Sequence, residues 1–238
     1  MQKLQFQKKS SARVLLTSFL NGLVLAVGMI ALLVGGFFST HSHFKIVGSS
    51  MQPTIAAHGY ACYVQKNSAF NYGDIVVAYD ESVHTAPVIK RVIALGGDLV
   101  GFYFNSSPEN FEIPYFQILL VKNGQTATLL EEKYLYTGVD NATAQNQLLI
   151  NNQKAYQNFI SSTAIAPHLQ DYAFNGQIVQ VLPLADNEVF VLGDNRLVSK
   201  DSSTYGAINA ASVQGKVTQI FKVNTPALSI ALKHIFGF

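Results

Sequence analysis

Val88-Ile89-Lys90-Arg91-Val92-Ile93-Ala94-Leu95 is an apolar, largely β-branched run with a lysine inside it. Such a run reads as a β-strand, and on a strand Val88 and Val92 share the face of Lys90. An apolar setting disfavours the ammonium and lowers its pKa from the reference of about 10.4. The amine then becomes usable as a base near neutrality. Upstream, Ser50-Met51-Gln52-Pro53-Thr54 places a serine on a turn. A serine hydroxyl is a poor nucleophile until a base takes its proton. The two stretches together suffice for a Ser/Lys hydrolase that needs neither histidine nor metal, and no cofactor is expected.

Similar runs recur on both sides: Phe44–Val47, Tyr60–Gln65, Ile75–Tyr79, Gln117–Lys122, Gln147–Ile150, Gly176–Leu182, Glu188–Leu192 and Gly215–Val223. Gly, Asn, Asp and Pro separate them. The pattern predicts a mainly β domain of antiparallel strands. Ala155–Thr163 and the tail Pro226–Phe238 read as short helices. Residues 101–183, rich in Asn and Gln, read as a β-rich insertion with no chemical motif.

The N-terminus differs in kind. Val14–Phe38 is apolar and uncharged. As a helix it reaches about 37 Å at about 1.5 Å per residue, enough to cross a hydrocarbon core of about 30 Å. A cleavable signal has an apolar core of only about 7–15 residues and a small-residue cleavage site, and neither fits here. Lys3, Lys8, Lys9 and Arg13 precede the segment, and the first acid in the chain is Asp74. The positive-inside bias predicts a cytoplasmic residues 1–13, an anchor at 14–38, and an extracytoplasmic domain at 41–238. The expected location is therefore the cell membrane, single-pass.

The formal net charge is +2, but the basic N-terminus accounts for it and the outer domain is mildly acidic. With no basic cluster there, nucleic acid is not an expected partner. Cys62 is the single cysteine, so no intrachain disulfide forms, and its place in a strand-like run reads as a small buried apolar residue. His41-Ser42-His43 has metal-like spacing without an acid nearby and reads as a polar pair at the membrane exit. Neither a G-x-S-x-G elbow nor an H-E-x-x-H motif is present.

Four segments in order behind such an anchor resemble the bacterial type I signal peptidases, in a form like that of Gram-positive bacteria. Gly48-Ser49-Ser50-Met51-Gln52-Pro53-Thr54 is similar to the family's nucleophile box, and Gly73-Asp74-Ile75-Val76-Val77 to a structural strand. Lys90–Asp98 is similar to the general-base box, and Gly193–Ser202 to the last one. The resemblance implies an endopeptidase that removes signal peptides through an acyl-enzyme. Ser50 would be the nucleophile and Lys90 the base. Ser199 would bond and orient the lysine amine, while Asp194, Arg196 and Asp201 would hold the loop carrying Ser199. Met51, Val76, Val88 and Val92 would dry the lysine, and Gly48 and Pro53 would fix the Ser50 turn. The implied partners are secretory preproteins with A-x-A-type cleavage sites and the lipid bilayer, with the enzyme acting as a monomer.

The chain departs from the family pattern in three places. Gly48 stands where some members carry a serine that helps bind the oxyanion, which leaves the Ser50 N–H for that task. Asp201-Ser202-Ser203 lacks the arginine of the usual Asp-Ser-Arg, so Arg91 or Arg196 is expected to neutralise Asp201. Gly96 replaces a usual proline, with an expected effect on loop stiffness alone. Related Ser/Lys readings are autoproteases that carry a DNA-binding domain in place of the anchor and plasmid-transfer peptidases with a dedicated substrate. A further reading is an inactive membrane-anchored chaperone, which loss of the serine or lysine would mark; both are present.

Overall fold

The computed structural model describes residues 11–109, 114–135, 141–223 and 230. It divides into two units, one containing the N-terminal helix and the other spanning Ser42–Asn224. Helix α1 (Ser11–Thr40) carries mostly exposed apolar side chains, and its mean hydropathy reaches 2.3. By length and composition it is a candidate membrane span. Its hydroxyls bond back to its own backbone, as when Thr17 Oγ1 donates to the Arg13 carbonyl at 3.0 Å. Such bonds spare an apolar surface unsatisfied donors.

The strands are β1 (His41–Ile46), β2 (Tyr60–Lys66), β3 (Ile75–Ala78), β4 (Val88–Leu95), β5 (Leu99–Asn105), β6 (Tyr115–Val121), β7 (Thr128–Leu129), β8 (Gln170–Phe174), β9 (Gln177–Pro183), β10 (Glu188–Leu192), β11 (Ile208–Asn209) and β12 (Val213–Lys222). They form a seven-stranded sheet in the order β1-β2-β12-β3-β4-β10-β11 and a five-stranded sheet in the order β7-β6-β5-β9-β8. The observed strand pairings are antiparallel, as the alternating turns and β-branched runs predict. Helix α2 (Asn141–Ser161) and the short α3 (Ser202–Tyr205) complete the domain.

Strand β4 leads from the seven-stranded sheet into β5 of the other. Its register against β3 sets Lys90 opposite Val76 and Arg91 opposite Ile75. Against β10 the register slips, so that Val92 and Ala94 face Val191 and Phe190 with Ile93 left over. That extra residue is a bulge, which re-aims the side chains beyond it. Before it, Val88 and Val92 pack with Val76, Val189 and Val191. After it, Ile93 and Ala94 enter a second cluster with Val100, Phe102, Ile118, Phe159 and Phe190. This cluster draws on both sheets and on α2. Each large side chain buried there contributes about 1.5–3 kcal/mol relative to exposure.

One reading of the sequence is corrected here and another is extended. Gln147–Ile150 is not a strand but part of α2, and the helix expected at Ala155–Thr163 is its C-terminal end. Ala144, Leu148, Asn152, Ala155 and Phe159 are buried along α2 at helical spacing, with Asn and Gln filling the outer face. The buried Asn152 interrupts that apolar stripe and hides its period. The region 101–183 accordingly holds a 21-residue helix as well as strands. The proposed helix at Pro226–Phe238 falls almost wholly outside the described residues.

Candidate active site

Strand β1 runs into the turn that carries Ser50. The Gln52 N–H donates to the Ser49 carbonyl at 3.1 Å and the Ile55 N–H to the Met51 carbonyl at 2.8 Å. Ser50 is half-buried at the turn, while Met51 points inward. Met51 packs with Ile46, Ile55, Val64 and Val77, and with Ile89 at the edge of that cluster. Val76, Val88 and Val92 lie on the pleat of Lys90 and pack together, so Met51 joins the opposite side of the sheet.

Lys90 is 3% exposed, and its Nζ lies 3.1 Å from Ser50 Oγ. It also donates to the Ile89 carbonyl at 3.2 Å. Burial pushes the amine below the ordinary lysine range, against the opposing carboxylates of Asp201 and Asp194. The alcohol and the amine therefore meet at hydrogen-bonding distance, one half-open to solvent and the other enclosed. Among the described residues no histidine hydrogen-bonds Ser50.

The segments around the pair are stitched together. Arg91 grips Asp194 with two hydrogen bonds, Nε to Oδ1 at 2.9 Å and Nη2 to Oδ2 at 2.6 Å. Thr54 Oγ1 also donates to Asp194. Burial opposes the Arg91 charge, but the bonds and charge of Asp194 outweigh it and raise its pKa. The Asn195 N–H donates to the Ser50 carbonyl at 2.9 Å. A Cβ on Gly193 would lie 2.2 Å from Ser199 Oγ and 2.6 Å from the Ser50 carbonyl oxygen. Only a glycine lets the last segment approach the nucleophile this closely.

Several expected roles change. Ser199 is buried beside Gly193, but its hydroxyl has no hydrogen-bond partner and does not bond Lys90. The lysine amine is already engaged by Ser50 and the Ile89 carbonyl. Neither Arg91 nor Arg196 pairs with Asp201. Its carboxylate takes the Gly193 N–H at 2.9 Å, the Ser203 N–H at 3.1 Å and the Ser203 hydroxyl at 2.8 Å. Ser203, the residue in place of the usual arginine, itself satisfies the anion. Gly48 makes no close approach, since a Cβ there meets nothing within 4 Å, so the turn does not require it. Gly96 does more than loosen a loop, because a Cβ there would fall 2.1 Å from the Asp186 carbonyl oxygen.

Arg196 is fully buried, and its side-chain partners come from outside the four segments. Its Nε donates to the Gly193 carbonyl at 3.0 Å and its Nη1 to Asn152 Oδ1 at 2.6 Å. It forms an ion pair with Glu132. Burial disfavours the guanidinium charge, but Glu132 foremost among its neighbours carries the pKa upward. Sequence reasoning missed Glu132, Tyr134 and Asn152, and it gave Thr54 no role. Cys62 sits in the core, and burial pushes its thiol up to about 12, in keeping with a packing role.

A mainly antiparallel β domain with a serine and a buried lysine at bonding distance defines a class of serine hydrolase. The chain belongs to the family described as signal peptidase, peptidase S26, whose model matches residues 16–106 and 138–222. Signal peptidase I of two Streptococcus pneumoniae strains is 28% identical to it over 178 residues, covering 74% of this chain and 79% of each relative. A solved signal peptidase I from Enterococcus faecalis is 23% identical with a TM-score of 0.39, and the match covers 63% of this chain and 98% of that one. On its family membership this is a type I signal peptidase, a serine protease that removes signal peptides from secretory preproteins.

Proposed function

We propose that the chain cleaves preproteins by a Ser50/Lys90 dyad while held in the membrane by α1. The observation that carries this reading is the 3.1 Å approach of a buried Lys90 Nζ to Ser50 Oγ. The neutral amine takes the hydroxyl proton as Oγ attacks the scissile carbonyl. The Ser50 N–H receives the developing oxyanion. The C–N bond breaks, and Lys90 returns its proton to the leaving amine of the mature protein. Lys90 then takes a proton from water as its oxygen attacks the acyl-enzyme carbonyl, the C–Oγ bond breaks with Lys90 returning that proton to Ser50 Oγ, and the signal peptide departs as a carboxylic acid that ionises in solvent. Asp194, Arg196, Asp201 and Ser199 shape the loop beside the pair, with Met51 and Gly48 flanking the nucleophile turn.

The substrate adds as an extended strand with small residues at the first and third positions before the cut. Supporting this, β1 is an edge strand that leads directly into the Ser50 turn, and an edge offers unpaired backbone groups. In this proposal residues 1–13 are cytoplasmic, 14–38 span the bilayer, and 41–238 form the outer domain with 101–183 as an insertion. Tethering enzyme and preprotein to one membrane raises their effective concentration.

Cleavage of a purified preprotein with an A-x-A site tests the mechanism. Ser50→Ala and Lys90→Ala are each expected to abolish it; activity that survives Lys90→Ala overturns the dyad. Protease protection of sealed vesicles tests the topology, with the domain expected on the face opposite the N-terminus.

A further inference from the structure

Two arginines hold the start of the last segment, and one acid outside the four segments pairs with Arg196 directly and meets Arg91 through Tyr134. Arg91, next to Lys90, holds Asp194, while Arg196 holds the Gly193 carbonyl. Glu132 pairs with Arg196 through Oε1 and accepts a further bond from Arg196 Nη1 on Oε2 at 3.3 Å. The Tyr134 hydroxyl donates to Glu132 Oε1 at 2.6 Å, and the Tyr134 ring lies 3.9 Å beneath the Arg91 guanidinium. Asn152 Nδ2 donates to Glu132 Oε2 at 3.4 Å while its Oδ1 takes Arg196. Glu132 and Tyr134 fall between the two stretches that the family model matches.

A buried ion pair is weak evidence of stability, because apolar residues of similar volume often serve as well. Its worth lies in specifying one arrangement. Here that arrangement fixes Gly193 and Asp194, and through the Asn195 N–H it reaches the Ser50 carbonyl. We infer that Glu132, assisted by Tyr134 and Asn152, is a positioning residue for the Ser50–Lys90 pair, a clamp that this chain builds from the segment following β7 and from α2. The inference rests on the dyad reading above and extends it to the groups that keep the dyad in register.

The test is steady-state cleavage of an A-x-A preprotein by the full-length enzyme in detergent, with Glu132→Gln and Glu132→Asp beside Ser50→Ala and Lys90→Ala. A misplacement of about 1 Å can cost about 100-fold in rate. Glu132→Gln is expected to lower kcat about 10-fold to 100-fold with KM held, and Glu132→Asp to recover part of the loss. A purely structural brace would lower the folded fraction and leave kcat per folded molecule unchanged; that result overturns the clamp. If Glu132→Gln does not fold, Tyr134→Phe, which removes only the hydroxyl bond to Glu132, decides in the same way: reduced kcat at constant KM supports the clamp, and wild-type kcat overturns it. Wild-type cleavage by Glu132→Gln, with Ser50→Ala and Lys90→Ala dead, removes the clamp alone. Cleavage by Ser50→Ala removes the dyad reading instead.

Discussion

The Asn195 N–H donates to the Ser50 carbonyl across 2.9 Å, binding the last segment of the site to the first. Glycine two residues earlier makes this approach feasible. Gly193→Ala puts a methyl group into Ser199 and the Ser50 carbonyl oxygen, and backbone cannot yield as a flexible side chain does. Overpacking of this kind costs about 1–3 kcal/mol. The variant is expected to melt earlier and to lose about 100-fold or more in kcat, measured by thermal unfolding and by cleavage of a preprotein.

Lys90 links activity and stability to pH with a definite sign. Its folded pKa is depressed by burial, so the folded state binds its proton less readily than the unfolded chain. Below the folded pKa the ammonium is buried and destabilises the protein in full. The destabilisation fades as pH rises from the folded pKa to the ordinary lysine value. Lys90→Met is therefore expected to be more stable than the wild type, with the widest gap at low pH. In a domain of this size each kcal/mol moves Tm by about 2–4 °C. Cleavage by the wild type should rise with pH through the same folded pKa. Melting curves of both proteins across pH, beside the rate profile, check this; a gap that does not vary with pH contradicts it.

Gly48→Ser should be accommodated. A Cβ there meets no heavy atom within 4 Å, and the added hydroxyl would stand near the expected oxyanion. One such donor is worth about 10²–10³ in kcat where it is well aimed. The expected outcome is an unchanged Tm and a kcat at or above that of the wild type. A fall in Tm of several degrees would show that the turn needs glycine after all.

Gly96→Ala should destabilise by steric overlap with Asp186, whose carbonyl oxygen lies 2.1 Å from the new Cβ. The expected cost is about 1–3 kcal/mol, with KM little changed because the contact lies away from Ser50. Denaturant titration gives the first figure and preprotein kinetics the second.

Much of the site was legible because its chemistry is written in local runs. Lys90 lies among β-branched neighbours, and Ser50 follows a strand into a turn. Glu132 was not legible, since Glu131-Glu132 are two acids of one kind in sequence. Folding exposes Glu131 to pair with Lys133 at 3.0 Å and buries Glu132 against an arginine far along the chain. The first half of α2 was missed for a related reason: Asn152, needed by Arg196, breaks the helix's apolar period at the centre. Strand β8 was passed over because it is short, opens on Gln170-Asp171 and lies largely exposed at a sheet edge. The partner of Asp201 was sought among the arginines, when Ser203, two residues on, and the Gly193 N–H supply the donors.

The Glu132–Arg196 pair bears on attempts to build a smaller enzyme. A version pared down to the seven-stranded sheet would discard the acid and keep the guanidinium; wherever the site stayed enclosed, a bare cation in oil would cost about 3–5 kcal/mol. Such a minimal protease would need Arg196 exchanged for an apolar side chain in the same stroke.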